Sequence, residues 1–96
     1  MKPSLAVEGH RREIRRIVEN HHAMNARIFG SVAIGEDAEE SDLDLLVDPT
    51  QETTLFDIAA IRLELRKMIG ISVDIFTPSA LPKNFRDQVV AEAVSV

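Results

Sequence analysis

Two aspartates separated by one leucine, Asp42-Leu43-Asp44, are the residues of this sequence most suited to chemistry. On a strand, residues two apart project from the same face, so their carboxylates would stand side by side. Carboxylates held that close repel and resist ionising together unless a cation neutralises them. Oxygen donors with no His or Cys beside them suit Mg2+ or Mn2+ rather than zinc. Taken alone, the pair also describes the wet side of a half-buried strand.

Asp74 is a third candidate. In Ser72-Val73-Asp74-Ile75-Phe76 it puts a charge in mid-strand, which is unfavourable without compensation. A charge there can also guard a sheet edge against aggregation. If its strand lies beside that of Asp42 and Asp44, three carboxylates converge. Three carboxylates suit two Mg2+ ions about 3.5–4 Å apart, which clamp the attacking and leaving oxygens of phosphoryl or nucleotidyl transfer. Gly30-Ser31 supplies a phosphate-binding element. Glycine at a strand end allows close backbone approach, and a serine opening a helix offers a hydroxyl and free N–H groups to a triphosphate. The same dipeptide also makes an ordinary turn with an N-cap. It is not a Walker A loop, because no Gly-Lys-Ser/Thr follows.

These residues need elements to position them. Ile14, Ile17 and Val18 recur at helical spacing and predict a helix over residues 8–21. Its arginines, Arg11, Arg12, Arg15 and Arg16, form a basic face, and His10, His21 and His22 flank it. Residues 26–29 form a short strand ending at Gly30. Ser31 can then cap a short helix that Gly35 stops. Residues 42–48 alternate, with Leu43, Leu45 and Val47 opposite Asp42, Asp44 and Asp48, and so form a second strand. Thr54 and Asp57 match a capping box opening the longest helix, to about Ile69, with Leu55, Ile58, Ile61, Leu65 and Met68 on one side. Gly70 stops that helix, and residues 72–76 form the third strand. After Pro78 and Pro82 a last helix carries Leu81, Phe85, Val89 and Ala93 as a buried stripe. Alternating helices and strands predict a small α/β or α+β domain over residues 1–96, with about three strands in a mixed sheet and helices packed on it.

Composition excludes other classes. The chain has 96 residues, 45% of them hydrophobic, which is enough for one core and too few for a second lobe. Cysteine is absent, which excludes disulfides and thiolate metal sites and fits a cytoplasmic setting. No apolar run approaches the roughly 20 residues of a membrane helix, and no signal peptide precedes the first helix. The net charge of −5, with acidic residues concentrated from Glu36 to Asp48, disfavours direct nucleic-acid binding. It suits cations or a basic partner protein.

Gly30-Ser31, ten intervening residues and Asp42-Leu43-Asp44 together resemble the signature of the nucleotidyltransferase superfamily related to DNA polymerase β. The flanking Arg27-Ile28-Phe29 and Leu45-Leu46-Val47-Asp48 look like its small prokaryotic minimal nucleotidyltransferase group, as do Val73-Asp74-Ile75-Phe76-Thr77 and Glu92-Ala93-Val94. The resemblance extends from about His10 to the end. It implies that Asp42 and Asp44 bind the nucleotide's metal, and that Asp74 helps hold a second Mg2+ and prepares an acceptor hydroxyl. Gly30 and Ser31 would hold the triphosphate of ATP. The implied reaction moves AMP to a hydroxyl. For this group the implied acceptor is a tyrosine of a HEPN-type toxin, making the chain the antitoxin of a pair. One departure stands out: many members carry arginine where this chain has Ile34, which removes a possible triphosphate partner. Arg62, Lys67 and Lys83 are candidate substitutes. The alternative implied role is an inactive antitoxin that neutralises its partner by binding alone.

Overall fold

The structure, a computed structural model, describes residues 2–96. Four helices and four strands run in the order α1 (Pro3–Glu8), α2 (Arg11–Asn20), β1 (Ala23–Phe29), β2 (Leu43–Pro49), α3 (Leu55–Ile69), β3 (Val73–Phe76), α4 (Arg86–Glu92) and β4 (Val94–Ser95). A 3₁₀ turn at Pro78–Ala80 lies between β3 and α4. The sheet order is β3-β2-β1-β4. Strand β1 is antiparallel to both β2 and β4, whereas β2 and β3 are parallel, joined by the crossover helix α3.

The alternation in β2 sets the layers. Leu43, Leu45 and Val47 are fully buried and face the core shared with Ile14 and Val18 of α2, Ile61 and Leu65 of α3, and Val73 of β3. Fully burying aliphatic side chains of this kind contributes about 1.5–3 kcal/mol each, which makes this layer the main source of stability. The opposite face carries Asp44, with Phe29 paired to it across β1 and Asp74 across β3. Helix α3 has the expected ends: Thr54 accepts the Asp57 N–H, Asp57 accepts the Thr54 N–H, and Gly70 closes the helix at φ 79°.

Several sequence expectations are corrected. The helix expected over residues 8–21 is α2, beginning at Arg11, and an unpredicted helix α1 precedes it across Gly9, fastened by its Ser4 N–H donating to the Asp37 carboxylate at 3.0 Å. Strand β1 begins at Ala23, three residues before its predicted start, because its pairing continues past an irregularity around Asn25, whose φ is 55°. The sheet has four strands rather than three. The fourth is a two-residue strand held by Arg11, which donates to the Ser95 carbonyl at 3.1 Å, and by Arg15, which donates to the Val96 carbonyl at 2.8 Å. The basic face of α2 therefore has a structural use beyond solvation. Gly30 to Gly35 is a series of turns rather than a helix, with the Ala33 N–H reaching Gly30 O and the Glu36 N–H reaching Ser31 O. Leu55 does not join the buried side of α3: it is 87% exposed, and Phe56 beside it is 86% exposed. No residue of α4 is buried, and in the predicted stripe only Leu81 is, because α4 packs chiefly on the 3₁₀ turn rather than across the sheet.

Candidate active site

The central pair is set by strand register. Parallel pairing of β2 with β3 places the Asp44 Cα opposite that of Asp74, so both carboxylates stand on the same face of neighbouring strands. Asp42 lies one residue before β2 and is exposed. Burial raises the Asp44 carboxyl above the usual carboxylate range, and the charges of Asp74 and Asp42 push it the same way. Each of the three expected acidic residues thus enters one local field. Among the described residues they do not close on a three-donor metal cage as they stand. The donor set nonetheless fits a hard divalent cation: carboxylate oxygens only, with no imidazole among them. Asp42 and Asp44 form no ion pair among the described residues, so their charge is uncompensated.

The other acidic residue of this face is already satisfied. Asp48 accepts from the buried Arg27 guanidinium at 2.5 Å and from the Asn25 amide at 2.8 Å. That network lies at the far end of β2 and fixes the strand without competing for a cation. Asp74 has a partner too, since Arg62 of α3 brings its Nε to 3.8 Å from the Asp74 carboxylate and donates to the Val73 carbonyl at 3.3 Å. Arg62 therefore stands on the Asp74 side of the site rather than beside the Gly30-Ser31 turn.

Gly30 ends β1 with φ 74°, a conformation that other residues rarely adopt. A side chain there would also meet the Asp44 Oδ2 at 3.1 Å, so the missing Cβ is what lets the turn lie against the carboxylate. Ser31 caps no helix. Instead the turn leaves the N–H groups of Ser31, Val32 and Ile34, and the Ser31 hydroxyl, without a protein partner among the described residues. Successive unpaired amides in a turn form an anion-binding concavity. The turn thus takes a different form from the capped helix that the sequence predicts. Beside it, the rings of Phe29 and Phe76 meet edge to face across β2, with centroids 5.4 Å apart, and give the carboxylates an apolar border. His21 and His22 take no part: they contact Glu64 and Asp57 of α3.

Residues 12–96 match the family described as polymerase beta nucleotidyltransferase. The chain belongs to that family. A chain of Methanocaldococcus jannaschii provisionally named a protein adenylyltransferase is 35% identical over 90% of this chain and 92% of its own length. The protein adenylyltransferase MntA of Thermococcus cleftensis is 31% identical over 91% of this chain and 85% of its own. A solved structure provisionally described as a minimal nucleotidyltransferase superposes with a TM-score of 0.87 at 38% identity, covering 97% of this chain and 95% of the other. A toxin–antitoxin structure with AMP-PNP shares the fold at a TM-score of 0.70 and 15% identity, over 97% of this chain and 71% of the other. The mixed sheet with its helices is thus a nucleotidyltransferase fold, and the chain is a nucleotidyltransferase. Among the described residues no helix is long and apolar enough to cross a membrane.

Sequence reasoning missed Phe29, Phe76 and the position of Arg62. The aromatic pair is visible in the sequence only once the register is known, because the two residues belong to strands that β2 separates.

Proposed function

We propose that residues 1–96 act as one cytoplasmic unit that transfers AMP from ATP to a tyrosine hydroxyl of a HEPN-type toxin, as the antitoxin of that pair. The observation that carries this reading is the register of Asp44 against Asp74 under an open turn of unpaired amides. Gly30 and Ser31 hold the triphosphate through backbone N–H groups and the Ser31 hydroxyl. Asp42 and Asp44 are the ligands of the nucleotide-associated Mg2+, and Asp74 shares in a second. When bound, the ions neutralise charge on the reacting phosphates. Asp74 orients the acceptor hydroxyl and draws its proton. The hydroxyl oxygen bonds to the α-phosphorus, the bond from that phosphorus to the bridging oxygen breaks, and pyrophosphate leaves.

A protein acceptor is supported by the surroundings of Asp74. A groove of about 370 Å³ runs from Asp74 and Arg62 to Leu55, which Phe56 follows in the sequence. Large apolar side chains that exposed mark a surface that a partner covers. The relatives named protein adenylyltransferases support the same acceptor class. Incubating the chain with ATP radiolabelled at the α-phosphate, Mg2+ and its toxin partner tests this reading. Label should pass to the partner, and Asp42→Asn and Asp44→Asn should each abolish it. Absence of label on the partner with active ATP-binding protein would overturn it.

A second reading, neutralisation by binding alone, is favoured by Ile34 and by the Arg62 guanidinium resting on Asp74. Full neutralisation by the doubly substituted Asp42→Asn, Asp44→Asn protein would establish that reading.

A further inference from the structure

Ile34 occupies an unusual setting, since a large aliphatic side chain 62% exposed stands on a turn lined with free amides. The turn and α4 enclose a cleft of about 290 Å³. Gly30 and Ile34 form one wall, and Phe85 and Val89 the other, with Gln88 and Glu92 along α4. Helix α4 is tied to the 3₁₀ turn through Arg86, which donates to the Ser79 carbonyl at 3.3 Å and to that of Leu81, just after the turn, at 3.0 Å.

We propose that this cleft seats the base of the nucleotide whose triphosphate lies on the Gly30-Ser31 turn, and that it prefers a base bearing an exocyclic amine. The proposal rests on the nucleotidyl-transfer reading above and deepens it. Gly30 connects the two parts, because it lines the cleft while its backbone lies against the Asp44 carboxylate. A nucleotide anchored there can extend toward Asp74 or toward α4. The Asp74 side carries Arg62 and the groove assigned to the acceptor, which leaves the α4 side for the base. The cleft volume is at the lower end of small-ligand pockets, about 300 Å³, and suits a base rather than a whole nucleotide.

Its chemistry matches a base as well. A base has two apolar faces and a polar edge. Phe85, 42% exposed, offers an aromatic ring for stacking, and Ile34 supplies apolar contact. The polar groups are adjoining: the Gln88 amide donates to the Glu92 carboxylate at 3.3 Å. An ionised carboxylate only accepts hydrogen bonds, so the edge facing Glu92 must donate. Adenine, cytosine and guanine can present an exocyclic amine there, whereas uracil presents only its ring N3–H between two carbonyl oxygens that the carboxylate repels. Ile34 then exchanges a contact with phosphate for one with the base.

Calorimetric titration of the full chain with Mg-ATP, Mg-UTP and Mg-tripolyphosphate tests the assignment. Phe85→Ala and Ile34→Ser should each weaken Mg-ATP roughly ten-fold, in the range that loss of a stacking platform gives. Both should leave Mg-tripolyphosphate unchanged, and the unaltered chain should bind Mg-UTP more weakly than Mg-ATP. Ile34 is on an exposed turn, so its variant retains the fold should Phe85→Ala not. The cleft assignment is overturned if Ile34→Ser leaves Mg-ATP affinity untouched, or if Mg-ATP and Mg-tripolyphosphate bind the unaltered chain equally. In both cases the triphosphate site stands. Failure of the unaltered chain to bind either compound overturns the nucleotidyl-transfer reading itself, and the cleft with it.

Discussion

Asp44 occupies a field that opposes its own charge, through burial first and then through Asp74 and Asp42. The carboxyl holds its proton more tightly in the folded chain than in the unfolded one. Stability contributed by the protonated form is therefore intact below the unfolded value of about 3.9 and is lost as pH rises through the higher folded value. Asp44→Asn removes that loss. Because the carboxyl is partly exposed and screened, the gain at pH 7 is small, a rise in Tm of about 2 °C. The difference should close as pH falls below about 3.9, in melts followed by circular dichroism. Millimolar Mg2+ should raise the Tm of the unaltered chain and leave that of the variant in place. Gly30 makes the complementary prediction. Alanine there must take a left-handed φ and meet the Asp44 carboxylate, so Gly30→Ala should cost about 1–2 kcal/mol in urea denaturation and weaken Mg2+ binding together. An unchanged urea midpoint would show that the turn relaxes freely.

Helix α3 positions the acidic face from behind. Its Arg62 and Arg66 each donate from Nε to the Val73 carbonyl at 3.3 Å, which fixes the outer edge of β3 and brings Arg62 to Asp74. The ends of this helix were legible in the sequence, because caps are local chemistry: Thr54, Asp57 and Gly70 act within a few residues of themselves. Thr54→Ala should lower stability by about 1 kcal/mol in urea denaturation. It should leave Mg-ATP affinity unchanged in calorimetry, since Arg62 lies about two turns along. Other elements were illegible for reasons equally physical. Strand β4 is two residues long and has no alternation to read. The short helix α1 lacks a side-chain cap and is held by Asp37, distant in sequence. The turn after Gly30 has the residues of an N-cap and helix but closes on itself through Glu36. Spacing marked Leu55 as core because it follows the period of α3. Periodicity does not reveal which turns of a helix a partner covers, and Leu55, in the first turn of α3, is left exposed.

At the scale of the molecule, one face of the sheet is closed by α2 and α3, and the other presents the carboxylates beside the buried Leu46 and Arg27. The acidic signature in the sequence located the latter face. Which of its carboxylates were free depended on pairings of Asp48 with Arg27 and of Asp74 with Arg62, which only the folded chain displays. Leu55 and Phe56 project from the rim beside that face. Replacing both with serine should change stability by less than about 0.5 kcal/mol, because neither is packed. The same variant should no longer co-purify with the proposed partner protein. A large loss of stability would instead show that these residues pack within the chain.

Asp44 and Asp74 adjoin in space although thirty residues separate them along the chain. Parallel strands cannot meet through a tight hairpin, and here the whole of α3 must be laid down between them. A nascent chain in which β1 and β2 have already paired still has its third carboxylate unmade. Assembly of the acidic cluster thus waits for translation of the last third of the protein, and a half-synthesised molecule has no completed site to offer a nucleotide.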